Sequence, residues 1–152
     1  MVIQSQSASE TIRIGKKIGS LLQPGDVIAL VGELGAGKTQ FIKGLAAGMG
    51  VRRSGYVSSP SFTLINEHEG KVPLYHIDLY RVDTEREAQE LGLEEYFKGK
   101  GITAVEWADK VPSLLPEEVL TVTICYTGKN TRSIGIIPKG QRYEALLLRF
   151  QN

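Results

Sequence analysis

Val27-Ile28-Ala29-Leu30-Val31 runs without a polar residue straight into Gly32-Glu33-Leu34-Gly35-Ala36-Gly37-Lys38-Thr39. The apolar run reads as a strand buried on both faces, the pattern of a parallel sheet. The segment after it fits G-x-x-x-x-G-K-[ST]. Beyond that turn, Phe41, Ile42, Leu45, Ala46 and Met49 mark the buried face of a helix that ends near Gly48 and Gly50. Strand, glycine turn and helix therefore agree with one another. The glycines let the backbone turn so that successive N–H groups point into one concavity. The positive end of the helix dipole adds to that field.

Such a concavity suits a polyphosphate. Lys38 is expected to reach the β- and γ-phosphates, and the Thr39 hydroxyl to ligate Mg2+, a hard ion that prefers oxygen. Glu33, Leu34, Gly35, Ala36, Gly37, Lys38, Thr39 and the next residue, Gln40, form the expected nucleotide cradle.

Before the cradle, residues 7–22 read as a helix with Ile14, Ile18, Leu21 and Leu22 on one face, capped by Ser7 or Ser9. Gly15 and Gly19 count against that helix, and Pro24-Gly25 breaks the chain after it. After the cradle, residues 51–60 read as a loop. Phe62–Ile65 and Pro73–Tyr80 read as strands, the second with Tyr75, Ile77 and Leu79 on one face and His76, Asp78 and Tyr80 on the other. Thr84–Leu91 and Leu93–Phe97 read as helices, the first capped by Asp83 or Thr84. Ile102–Val105 is a further buried strand that ends at Glu106-Trp107. In the last third, Val119–Tyr126, Ser133–Ile137 and Glu144–Phe150 read as strands separated by turns. The expected architecture is a P-loop NTPase-like α/β domain over 1–152: a mostly parallel sheet flanked by helices, with antiparallel C-terminal strands.

Composition narrows the classes. The chain has 152 residues, 41% hydrophobic and 23% charged, which suits one soluble domain. A net charge of +1 gives no global field toward nucleic acid or an acidic membrane. The single cysteine, Cys125, lies in an apolar run and is expected to be buried. The start MVIQSQSASE lacks an apolar signal core, and no apolar stretch approaches a membrane span, so a cytoplasmic protein with no membrane role is expected.

A P-loop alone does not hydrolyse anything; a carboxylate must help hold the ion, and something must orient the attacking water. Glu106 closes a buried strand at the position of a Walker B carboxylate, where it faces the ligand crevice of a parallel sheet. Asp78 lies on the polar face of its strand. With Lys38 these two are the candidate catalytic residues, and with Thr39 the candidate Mg2+ ligands. Which of the two carboxylates binds the ion and which acts as general base stays open. A solvated strand end for Glu106 and an ion pair with Arg81 for Asp78 are the plain alternatives. Hydroxyls of Ser59-Pro60-Ser61-Phe62-Thr63 are placed to reach a γ-phosphate, or merely cap a turn. His76 reads as a hydrogen-bonded strand histidine, Trp107 as core or a neighbour of the nucleotide, and Arg52 and Arg53 as solvated loop charges.

GELGAGKT, SSPSFTLINEH, LYHIDLYR, LGLEEYF and AVEWADKVPSLLP follow one another here in an order that resembles the TsaE (YjeE) family, from about Gly32 through Pro116. The resemblance implies an ATPase that is weak alone and works with TsaD and TsaB, the threonylcarbamoyl-transfer enzyme. That enzyme modifies adenosine next to the anticodon (position 37) in tRNAs reading codons that begin with A. Contact with tRNA is then expected to be indirect, through the complex. Carried over by position, Lys38 and Thr39 bind phosphate and Mg2+, Asp78 and Glu106 are the functional acids, Trp107 lies by the ATP site, and Thr63 lies in a switch-like segment. Ser61 stands where many members have threonine. The competing readings are a small-molecule kinase, which needs an acceptor pocket and a lid that no insertion here supplies; a GTPase, for which no N-K-x-D segment is present; and a nucleotide-dependent binding module without catalysis.

Overall fold

A computed structural model describes residues 1–60 and 62–152, so the expectation for Ser61 lies outside the described residues. The strands are β1 (Val2–Ser5), β2 (Val27–Val31), β3 (Ile65–His68), β4 (Leu74–Asp78), β5 (Ile102–Glu106), β6 (Val119–Tyr126) and β7 (Arg132–Lys139). The helices are α1 (Ala8–Gly19), α2 (Lys38–Met49), α3 (Glu85–Glu90), α4 (Leu93–Phe97) and α5 (Gln141–Gln151). Local chemistry sets several of these bounds. Glu10 N–H donates to Ser7 Oγ and Glu87 N–H to Thr84 Oγ1, so Ser7 and Thr84 are the caps of α1 and α3. Glu10 and Glu87 also accept from the amides of Gln6 and Asp83, one residue before each cap.

The strands form one sheet in the order β1-β7-β6-β2-β5-β4-β3. β6, β2, β5 and β4 are parallel neighbours; β3 pairs antiparallel with β4, β7 with β6, and β1 with β7. The mostly parallel centre with antiparallel additions is the architecture the sequence predicts.

Each central strand is buried on both faces. Ile28, Leu30, Ala104, Leu120 and Val122 share one apolar cluster with α1, α2 and α5. Val27, Ala29, Ile77, Val105 and Val119 face the other way, under α3, α4 and the chain after β5. This is why β2 and β5 read as continuous apolar runs. On the first face α1 and α2 meet at backbone distance. A Cβ on Gly15 would strike the Phe41 carbonyl oxygen, and one on Gly44 the Ile12 carbonyl oxygen. The glycines that count against α1 in the sequence are thus what lets it lie on α2.

Three expectations are corrected, and one strand lies where none was expected. Glu144–Phe150 is not a strand but most of α5: Tyr143, Leu146, Leu147 and Phe150 are buried at helical spacing while Leu148 is 64% exposed. Phe62–Leu64 is a turn, and β3 begins at Ile65, because Leu64 has φ 67, which a strand does not accept. Cys125 is exposed, since its neighbour Ile124 takes the core-facing position of the alternating β6. β1, which pairs Val2–Ser5 with Arg132–Gly135, carries no sequence signal strong enough to anticipate.

Candidate functional site

β2 ends at Val31, and the chain from Gly32 to Gly37 wraps over its carboxyl end before α2 starts at Lys38. Gly35 (φ 77) and Gly37 (φ 112) hold left-handed backbone that other residues resist. The Phe41 amide donates to the Gly37 carbonyl, closing the first turn of α2 behind the loop. The first amides of α2 have no partner within the helix and are free to serve an anion.

Lys38 is buried beneath this loop. Its Nζ donates to the carbonyl oxygens of Gly32 (2.5 Å) and Glu33 (2.8 Å) and lies 4.3 Å from the centroid of the Trp107 ring. Burial pulls the ammonium below its ordinary range; the charges of Glu106, Asp78 and Asp109 pull it partway back.

The two carboxylates arrive from adjacent parallel strands, with Asp78 the register partner of Glu106. Glu106 is 2% exposed, so it is no solvated strand end. Its Oε2 accepts a hydrogen bond from Ser59 Oγ (3.0 Å) and lies 2.7 Å from His76 Nε2. Ser59 Oγ in turn shares a short hydrogen bond with Thr39 Oγ1. Thr39, Ser59, Glu106 and His76 therefore form one chain of polar contacts across the mouth of the cradle. Asp78 Oδ1 accepts from the Tyr80 amide (2.9 Å). Burial raises the Asp78 carboxyl above the ordinary range; the Tyr80 amide opposes this, Glu106 reinforces it, and His76 and Lys38 oppose it. Arg81 is not its partner: that guanidinium stacks 4.3 Å over the Phe62 ring. Directly after Glu106, Trp107 takes a left-handed backbone (φ 61), the kind of strain that concentrates at functional sites.

Lys38, Thr39, Ser59, Asp78 and Glu106 line a cleft of about 270 Å³ with Leu34, Gly35, Gly37, Gln40, Tyr80 and Trp107; His76 lies behind it. Of the expected residues, Glu33 contributes its carbonyl to Lys38, and Ala36 is buried with its carbonyl accepting from Arg132 Nε (2.8 Å). Thr63 stands apart, exposed and donating to Asn66 Oδ1 (3.1 Å). A second cleft of about 440 Å³ adjoins the other side of the cradle. It shares Gly35, Gly37 and Gln40 and adds Gln6, Ser7, Asn130 and Arg132. No sequence motif marks that cleft, since its residues come from chain segments far apart.

The donor set fits Mg2+ brought in with phosphates. Hydroxyl and carboxylate oxygens of Thr39, Asp78 and Glu106 are hard donors, and Mg2+ usually takes one or two carboxylates with the rest of its shell from phosphate and water. Among the described residues no three His, Cys, Asp or Glu side chains gather to hold an ion by themselves. Among them, too, no helix is long and apolar enough to cross a membrane.

A glycine cradle over the end of a central parallel strand, backed by a buried lysine, defines the class: a P-loop nucleotide-binding protein. Comparison with known proteins narrows it. The family model described as threonylcarbamoyl adenosine biosynthesis protein TsaE matches residues 5–134. The chain belongs to the TsaE family. It is 47% identical over 138 residues to the tRNA threonylcarbamoyladenosine biosynthesis protein TsaE of Bacillus subtilis, covering 90% of this chain and 85% of that one. The protein of the same name from Treponema pallidum is 39% identical, over 87% and 96%. The crystal structure of Bacillus subtilis YdiB superposes with a TM-score of 0.82 at 38% identity, over 99% of this chain and 93% of that one.

Proposed function

We propose that this protein binds ATP with Mg2+ and hydrolyses it, weakly alone, as a cytoplasmic subunit acting with TsaD and TsaB. The process is threonylcarbamoyl modification of the adenosine next to the anticodon (position 37) in tRNAs reading codons that begin with A. The tRNA side of this reading is supported by membership in the TsaE family. The nucleotide side is carried by one observation: Thr39, Glu106 and Asp78 converge beside a buried Lys38 at the mouth of a glycine cradle.

The amides of Gly35 and Gly37–Thr39 bind the polyphosphate, and Lys38 exchanges its carbonyl partners in the loop for phosphate oxygens. Thr39, Asp78 and Glu106 are the residues to hold the ion, and Ser59 must give up its place between Thr39 and Glu106 as it enters. Bound Mg2+ supplies charge neutralisation on the phosphates. Glu106, buried at the strand end, is the group to take a proton from the attacking water. The nucleoside end lies in the adjoining cleft, where the amides of Gln6 and Asn130 offer both donors and acceptors to a base. Among the described residues lining the catalytic cleft, Lys38 is the single cation. A site with no second positive group for the developing charge is slow, and a partner that supplies one speeds it.

Release of ADP from ATP, measured with and without TsaD and TsaB, tests the whole reading. Turnover is expected to be slow alone and raised by the pair. Failure of a non-hydrolysable ATP analogue to bind with Mg2+ in calorimetry would overturn the nucleotide half. Absence of any stimulation would overturn the partnership.

A further inference from the structure

We propose that His76 is a positioning residue for Glu106: its imidazole fixes the carboxylate in the orientation from which it serves the nucleotide. The inference rests on the hydrolysis reading above. It starts from register. His76 pairs across β4 and β5 with Ala104, and Asp78 with Glu106. Side chains two residues apart share a face, so His76, Asp78, Ala104 and Glu106 stand together. Because the residue opposite His76 is alanine, its small side chain leaves the ring room to lean along the strands. It reaches Glu106 with Nε2 2.7 Å from Oε2.

The contact is fully buried: His76 is 0% exposed. A hydrogen bond to a charged group in such a place is strong and directional. The ring and the Ser59 hydroxyl both meet Oε2, so Oε1 takes neither of these bonds. When Ser59 withdraws to admit the ion, His76 is what continues to hold the carboxylate.

A role in stability alone does not explain this residue. The other ring nitrogen, Nδ1, is buried with no hydrogen-bond partner among the described residues. An unpaired buried polar atom weakens the fold, and an apolar residue of similar volume would fill the space without it. The bond also fixes the tautomer. A carboxylate only accepts, so the ring hydrogen that makes this bond sits on Nε2.

Nitrogen NMR of histidine-labelled protein reads that tautomer without reference to activity. His76 is expected with its hydrogen on Nε2 and a downfield ring N–H proton that moves upfield in Glu106→Ala. A hydrogen on Nδ1 alone, or a resonance indifferent to Glu106→Ala, would overturn the proposal. Turnover stimulated by TsaD and TsaB gives the second reading. His76→Leu is expected to lower kcat about 10–100-fold, the range typical of partners that orient a functional side chain. KM for ATP, and affinity for a non-hydrolysable analogue, should stay within about threefold. His76→Gln, whose amide nitrogen can donate to the same oxygen, should recover most of the rate. Added to Glu106→Ala, His76→Leu should cost nothing more, since residues acting as one unit are not additive. Wild-type kcat in His76→Leu, no recovery in His76→Gln, or a full second loss on top of Glu106→Ala would each sink it. Should His76→Leu fail to fold, the wild-type spectrum and His76→Gln decide. A wild-type protein without turnover would defeat the hydrolysis reading, and the tautomer would still decide the bond.

Discussion

Lys38 and Asp78 are held where water would serve their charges better. In the proposed function the buried ammonium meets the triphosphate, and Glu106 acts only once the triphosphate is there. Lys38→Ala is therefore expected to abolish measurable binding of ATP in calorimetry. Glu106→Ala should leave binding largely intact and lower ADP release by about 10²–10⁴-fold, the usual contribution of a positioned general base. For Asp78 the sign is the reverse of the common carboxylate case. Burial raises its folded pKa above the 3.8 of the free side chain. Between those two values the native state keeps a proton that the unfolded chain has lost, so stability falls as pH rises through that window and stays lowered at neutral pH. Asp78→Asn, which keeps the oxygen that accepts from the Tyr80 amide, is expected to raise the melting temperature at pH 7. The gain should shrink as pH falls through the raised folded pKa and be gone below about pH 4, while Mg2+-dependent nucleotide binding is lost. A melting temperature unchanged at pH 7 would count against the burial cost.

At the scale of elements, α5 is tied to the start of β2 rather than merely laid on the sheet. The Val27 amide donates to the Tyr143 hydroxyl at 2.7 Å, and Arg142 grips both oxygens of Asp26 (3.1 and 2.7 Å). Tyr143→Phe leaves a buried N–H unpaired and should cost about 1–3 kcal/mol in denaturant unfolding. Burial pushes the Tyr143 hydroxyl from 10.0 to about 12, against the pull of the Val27 bond. The wild type should therefore lose stability as pH rises from 10 to 12, and Tyr143→Phe should lose less over the same range. Where α1 meets α2, Gly44→Ala has no room for its methyl beside the Ile12 carbonyl. It should cost about 1–3 kcal/mol, as overpacking does. How far the sequence shows these elements depends on where their signal lies. β2, α2 and β5 are legible because one buried environment spans each of them. Gln141–Gln151 misleads because Ala145-Leu146-Leu147-Leu148 satisfies several periods at once, and only the layer it packs on selects the helical one. Cys125 misleads for the same reason: an apolar run hides the alternation that puts every second residue in solvent.

At the scale of the molecule, the cradle and both acids were legible because each closes a strand whose direction the pattern gives. The roles of Ser59 and His76 were not. They depend on which strands are neighbours and in what register, and His76 meets Glu106 across 30 residues of chain. The second cleft, built from Gln6, Asn130 and Arg132, depends on β1 and β7 lying together at the far side of the sheet. The same arrangement predicts where loading will register. Hydrogen exchange with and without a non-hydrolysable ATP analogue and Mg2+ is expected to slow the amides of 32–40. It should also change those around Ser59, whose hydroxyl must release Thr39 and Glu106. Exchange unaltered around Ser59 would contradict that release.

The glycine seam between α1 and α2 bears on how such a movement is shared. Where the backbones touch at Gly15 and Gly44 the two helices have no side chain to slide over or re-seat, so they are expected to move as one with the loop that opens α2. Any travel on binding a nucleotide is then expected on the opposite bank, around Ser59 and Tyr80. A bridge engineered to lock the two helices together should leave the working cycle intact, whereas one pinning Ser59's loop to β4 should arrest it.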